Sequence, residues 1–320
     1  MDIARRGELA PVAPGVRPDV TVFYAYDRWR PTLYAELSDE TTPLLLPATA
    51  DLAERPVAIR ERSIEAGVLF RNRHVRHSET WLASYRFDRA SVTGPFDEGE
   101  ARRGSVRAGW SFTNAHRYGY SISQEGGVAA GVTSELTRPA FGADASASFL
   151  RADLRAYAPL GPRHATLALR VTGATTAGDR EVRRLLRLGG AHPEENTLSF
   201  DSDASSLLRG FPSNAFVGRH LALANVEYRV PLAWIERGHG TWPFFVRALH
   251  GAVFADIGHT WTEHAQWSHR KTSWGAELSA DVVAGFVLPL TVTVGVGWGR
   301  DGAEIYAPTR TAYVRVGHSF

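Results

Sequence analysis

The sequence predicts an all-β protein: an antiparallel transmembrane β-barrel of about twelve strands, with one long loop folded into the lumen. Three observations lead there. Apolar and polar positions alternate with a period of two from near residue 32 to the last residue, the signature of a strand with two different faces. In nearly every such segment one face carries aliphatic and aromatic residues and the other carries Glu, Arg, Asp, Ser and Gly, as a lipid-facing wall around a wet lumen requires. Long polar connections tend to alternate with short ones, the rhythm of external loops and periplasmic turns in outer-membrane barrels.

Composition narrows the classes. The chain has 320 residues, 44% hydrophobic and 22% charged, which excludes disorder. Its 36 basic and 34 acidic residues give a formal charge of +2, so there is no field to attract nucleic acid. With no cysteine, thiolate metal sites and thiol nucleophiles are excluded. Arg5 and Arg6 are not followed by an apolar stretch, so the N-terminus as given does not read as a secretory signal. Residues 1–30, with Pro11, Pro14, Pro18 and Pro31 around "VTVFYAYDRW", read as a linker or the remnant of a preceding domain, and 31–320 as the barrel.

The elements follow in order. Strands are expected at 32–39, 63–71, 80–89, 105–114, 118–136, 145–159, 163–175, 218–230, 245–261, 273–286, 290–298 and 311–320. In "RSIEAGVLFR", Ile64, Ala66, Val68 and Phe70 oppose Ser63, Glu65 and Gly67; in "SVRAGWSF", Val106, Ala108, Trp110 and Phe112 oppose Ser105, Arg107, Gly109 and Ser111. The segment 118–136 is long enough to contain a bend at Gly126 and Gly127. The one extended apolar run, 282–298, is interrupted by Pro289 and rich in Val and Thr, so it reads as two strands joined at "LPL" rather than a membrane helix. "DREVRRLLRLGG" is the best candidate helix, one or two turns inside a long loop. Alternation alone leaves a soluble β-sandwich open, because it does not say which face points outward.

No G-x-S-x-G elbow, H-E-x-x-H pair or phosphate-binding P-loop is present, and the 12 histidines are scattered. The expectation is a non-enzyme with no metal and no cofactor. The informative stretch is "SSLLRGFPSNAF": Arg209, flanked by Leu208, Gly210 and Phe211, sits in a long connection just before an alternating strand. In "LALANVEYRV" and "ALHGAVFADIGHTW", Glu227 and Asp256 fall on the polar parity and so point into the lumen from neighbouring strands. Two desolvated carboxylates repel, and a guanidinium reaching in from the loop would bind both through charge-assisted hydrogen bonds.

"LRLGG", "LLRGF", "NVEYRVPL", "VFADIGHTW" and the final "YVRVGHSF" resemble, in order and spacing, the C-terminal part of the BamA-type bacterial surface antigen, or outer-membrane protein assembly, superfamily. The resemblance covers 186–320 specifically and the rest by pattern. It implies that Arg209, Gly210 and Phe211 form a loop tip seated in the lumen against Glu227 and Asp256. It further implies an outer-membrane barrel that inserts or translocates polypeptides, here with fewer strands and no room for periplasmic polypeptide-transport domains. Val314, Val316, Gly317 and Phe320 resemble the C-terminal assembly signal of such barrels. Implied partners are outer-membrane lipid and an unfolded outer-membrane protein or exported polypeptide, with an upstream soluble domain as a further candidate. A gated or plugged pore, or an anchor for that upstream domain, are the alternative functions.

Overall fold

A computed structural model describes residues 19–46, 55–93, 98–161, 164–192, 197–198, 204–205, 207–238, 240–303 and 308–318. Most of them are strands: β1 (Val20–Tyr26), β2 (Thr32–Leu46), β3 (Arg55–Arg73), β4 (Ser78–Thr93), β5 (Glu98–Thr113), β6 (Gly127–Thr137), β7 (Ala147–Pro159) and β8 (Thr166–Gly178). Then come three short pieces, β9 (Leu186–Leu188), β10 (Ala204–Ser205) and β11 (Phe216–Gly218). Five long strands follow: β12 (His220–Gly238), β13 (Phe244–Trp261), β14 (Lys271–Ala284), β15 (Leu288–Asp301) and β16 (Thr309–His318). Thirteen strands form one antiparallel sheet in the order β1 to β8, then β12 to β16, each paired with its chain neighbour; β10, β9 and β11 form a separate three-stranded sheet. Among the described residues no ladder joins β1 to β16.

All twelve expected strands are present. The thirteenth, β1, pairs with β2 over seven positions from Val20↔Asp39 to Tyr26↔Leu33, within the stretch expected to be a linker. The surrounding prolines fall outside the strand, so none removes a donor from the ladder. Residues 1–18 lie outside the described set.

The connection from β8 to β12 shows that the sheet curves around it. Within it, Arg184 donates to Glu135 on β6, Leu186 packs with Phe149 on β7, and Leu208 joins Leu221 and Leu223 of β12. Farther along it, Arg209 reaches Asp256 on β13, and Gly210 lies against the backbone of β15 and accepts from Thr309 on β16. One loop touching six strands must lie inside a sheet that wraps around it.

The polarity is inverted relative to a water-soluble core. Facing the loop are buried Glu65, Arg86, Asp88, Arg107, Glu135, Asp153 and Asp281, while Ile64, Leu37, Trp81, Leu154, Val253 and Val294 on the opposite parity are exposed. Inside, charges are paired: Arg107 donates to Glu65 and Glu135, and Arg170 to Asp153. A charge facing the interior of a wall is tolerated only when matched in this way. No helix among the described residues is long and apolar enough to cross a membrane.

Several expected boundaries shift. The β2–β3 and β4–β5 hairpins extend past the alternation, with Arg60 donating to Asp39 and Arg89 paired with Glu100 where it breaks. Strands of 15 to 19 residues exceed the roughly 10 that cross a bilayer, so they run on past the alternating stretch. β12 likewise continues past Pro231 through two register shifts, which shortens the following link. The turn after β14 is centred on Gly285 and Phe286, both at positive φ, rather than at "LPL". The segment "DREVRRLLRLGG" contains no helix and includes β9.

The expected strand at 118–136 begins only at Gly127, where φ is 95°. Residues 114–126 instead fold inward, burying Ser121, Ile122 and Glu125. The Glu125 carboxylate accepts from Ser121 at 2.7 Å and meets His164 Nδ1 at 2.7 Å. The links 27–31, 74–77, 240–243 and 285–287 lie at this same end of the barrel; the loop containing Arg209 enters from the other.

Candidate functional site

The site is built by the connection between β8 and β12. Its three-stranded sheet places Leu186, Leu188, Leu208, Phe211 and Phe216 in one apolar cluster with Phe149, Leu221 and Leu223 from the wall. Burying those side chains anchors a loop that otherwise faces a polar lumen. Phe211 and Phe216 meet edge to face at 5.0 Å, and Phe211 is 0% exposed.

Arg209 projects from this cluster, itself 0% exposed. Its Nη2 donates to Asp256 Oδ1 at 2.8 Å and its Nε to Oδ2 at 3.1 Å, a two-point contact that the backbone N–H of the same residue extends at 3.2 Å. Nη1 donates to Glu227 Oε2 at 2.8 Å and to Glu277 Oε1 at 3.2 Å. The guanidinium carbon lies 3.6 Å from the centre of the Phe254 ring, a cation–π contact in a dry setting. Burial works against the charge, but the Glu227 and Asp256 carboxylates outweigh it and hold the guanidinium above its ordinary pKa.

The surrounding groups complete the charge balance. Arg229 donates to Glu227 at 2.7 Å, and Arg315 donates to both oxygens of Glu277 at 3.1 and 2.8 Å. Three arginines thus face three carboxylates. Asn225 donates to Asp256 at 2.8 Å and to the Leu207 carbonyl at 2.6 Å; Ser273 donates to Asp256 and Tyr313 to Glu277. Such saturation is what makes a buried charged cluster tolerable.

The tip also needs bare backbone to lie on. A Cβ at Gly210 would sit 2.5 Å from Gly299 N, one at Gly297 2.8 Å from Arg209 O, and one at Gly299 2.7 Å from Gly210 O. The "GVGWG" of β15 is therefore a smooth track on the lumen parity, and Thr309 and Thr311 of β16 donate to the Gly210 carbonyl at 2.5 and 3.2 Å. A cavity of about 410 Å³ opens beyond the cluster, bounded by Glu227, Arg229, Glu277 and Arg315 on the wall and by Ile122 and Gln124 of the inward-folded 114–126 segment.

These contacts bring together all five loop and lumen residues singled out in the sequence. Sequence reasoning missed Glu277 and Phe254, although both share the lumen parity of their strands. It placed Arg229 on the polar parity beside Glu227 but assigned it no role, and it missed the balancing Arg315.

This chain superposes on BamA from Haemophilus ducreyi lacking POTRA domains 1–3 with a TM-score of 0.61 at 14% identity. The fold is that of the BamA and CdiB barrels. CdiB from Acinetobacter baumannii matches with a TM-score of 0.62 at 10% identity and CdiB from Escherichia coli with 0.58 at 12%. Each match covers 93% of this chain but only 62% of the BamA chain and 49% and 52% of the two CdiB chains. No protein-family model and no curated relative matches the sequence. The likeness to BamA and CdiB is therefore one of fold.

At the chain end, Val314 and Val316 of β16 are outward and exposed, and Gly317 pairs with Thr291. Phe320 lies outside the described residues.

Proposed function

We propose that this chain is an outer-membrane barrel of the BamA-like superfamily that inserts or translocates polypeptides and performs no covalent chemistry. The observation that carries the proposal is the Arg209 tip locked into the lumen of a BamA-type fold by Asp256, Glu227 and Glu277. A loop so heavily fastened fills the lumen while leaving the wall free to act at its seam. There, β1 and β16 each lack a second neighbour among the described residues, and an unpaired edge is a template for an incoming strand. Outward Val20, Val22, Val314 and Val316 flank those edges, so a strand added there would enter an apolar surrounding. The substrate class is an unfolded polypeptide with strand-forming segments, and the surrounding partner is outer-membrane lipid.

Proteoliposomes test this. Urea-denatured eight-stranded barrel protein added to liposomes carrying this chain is expected to gain heat-resistant migration faster than with empty liposomes. Equal rates would overturn the insertion reading.

The locked tip also supports a second reading, a plugged pore. Planar-bilayer recordings of the refolded chain are then expected to show small flickering currents that become large and steady in Arg209→Ala. Silence from both proteins, each confirmed folded by heat-modifiable migration, would remove the pore reading.

A further inference from the structure

The short-link end of the barrel carries cations that neither the Arg209 cluster nor the seam uses. The β3–β4 turn, "RNRHVRHSE", places Arg71, Arg73 and Arg76 with His74 and His77 within nine residues, all exposed. Its one acid, Glu79, accepts from Trp110 Nε1 at 2.7 Å. The arginines of the lumen are tied into ion pairs, but the side chains of Arg71, Arg73 and Arg76 make no hydrogen bond or ion pair with any described residue. Beside the turn lies an open basin of about 590 Å³, shared with the start of the β5–β6 link and bordered by Arg73, Arg76, His74, His77 and His116. No acidic side chain borders it. Among the described residues no group of histidines and acids is arranged to hold a metal ion, so three imidazoles and two guanidiniums here favour an anion instead.

The position selects which anion. His77 stacks on Phe112 at 5.8 Å, and Phe112 stacks with Trp110, which meets Trp81, forming an aromatic patch on the outward face of β4 and β5. Aromatics on that face mark the level where hydrocarbon gives way to headgroups. Val75, fully exposed at the tip of the turn, adds an apolar contact between the cations. We propose that this basin binds the phosphate of an anionic phospholipid from the leaflet at the short-link end, with Arg73 and Arg76 holding the phosphate and the aromatic patch facing the acyl chains. This rests on the membrane-barrel reading above.

The test is native mass spectrometry of the detergent-refolded barrel with phosphatidylglycerol or phosphatidylcholine, heat-modifiable migration confirming the fold of every sample. Wild type is expected to retain phosphatidylglycerol preferentially, and Arg73→Gln/Arg76→Gln to retain about tenfold less. The matched charge loss at the other end, Arg300→Gln/Arg310→Gln, should leave retention unchanged. Equal retention of the two lipids, or equal retention by wild type and Arg73→Gln/Arg76→Gln, would overturn the inference while leaving a folded barrel intact. Displacement by equimolar inorganic phosphate would assign the basin to the free anion, and displacement by polyglutamate to an acidic protein; either result overturns the lipid assignment. An unfolded wild-type sample would instead count against the barrel reading itself.

Discussion

At the scale of single residues, Arg209 and its acids form a set from which no member can be removed without leaving charge unbalanced. Arg209→Ala leaves Glu227, Asp256 and Glu277 facing only Arg229 and Arg315, and stranding a buried charge costs about 3–5 kcal/mol. The temperature at which the barrel loses heat-modifiable migration should fall accordingly. Arg209→Lys keeps the charge but gives up the two-point grip on Asp256 and the flat stack on Phe254, so it should restore only part of that loss. Glu277→Gln, a residue not singled out from the sequence, is expected to destabilise nearly as much as Arg209→Ala, because Arg209, Tyr313 and Arg315 all donate to it. Glu227 and Asp256 were legible because parity fixes the direction of a strand side chain. Glu277 obeys the same parity, but its role depends on how far around the wall a loop tip can reach, which no local pattern encodes. Phe254 obeys that parity too, but an aromatic on the polar parity has no evident partner in the sequence until a cation is known to lie over it.

At the scale of elements, β15 shows why a weakly strand-forming sequence is useful here. Alternating glycines weaken a strand in isolation, yet Gly297 and Gly299 are what allow the tip to lie flat. Gly299→Val should therefore expel the tip without touching any charge, and limited proteolysis between β9 and β11 should accelerate as much as is expected for Arg209→Ala. Gly317→Ala, where an added Cβ meets nothing within 4 Å, should leave the digestion pattern unchanged. Alternation located twelve of the thirteen wall strands, all but β1, because each has one dry and one wet face through the bilayer. It failed at both kinds of end. In the β2–β3 and β4–β5 extensions charged pairs such as Arg60–Asp39 and Arg89–Glu100 break the pattern, and in 118–126 the apolar Ile122 turns inward with the loop instead of outward with a strand.

At the scale of the whole molecule, the described residues form a sheet of thirteen strands with no ladder between its first and last, where a barrel of about twelve strands was expected. The expectation followed from hairpin pairing, which specifies neighbours but not whether the first and last strands meet. Hydrogen–deuterium exchange should register the difference. Amides of β1 and β16 are expected to exchange faster than those of β13, which is paired on both sides; equal protection at all three would mean that the seam is zipped. The loop, too, has a property visible only at this scale. Seated, the Arg209 charge is cancelled by its acids, but when the tip leaves toward the end it entered from, one positive charge travels along the barrel axis while the carboxylates stay fixed in the wall. An applied membrane voltage acts on that displacement, by up to about 2.3 kcal/mol per 100 mV if the charge crosses the entire field. Opening should then depend on the sign of the voltage as well as its size, with the polarity that makes the short-link side positive favouring release of the tip, and in Arg209→Ala that asymmetry should vanish.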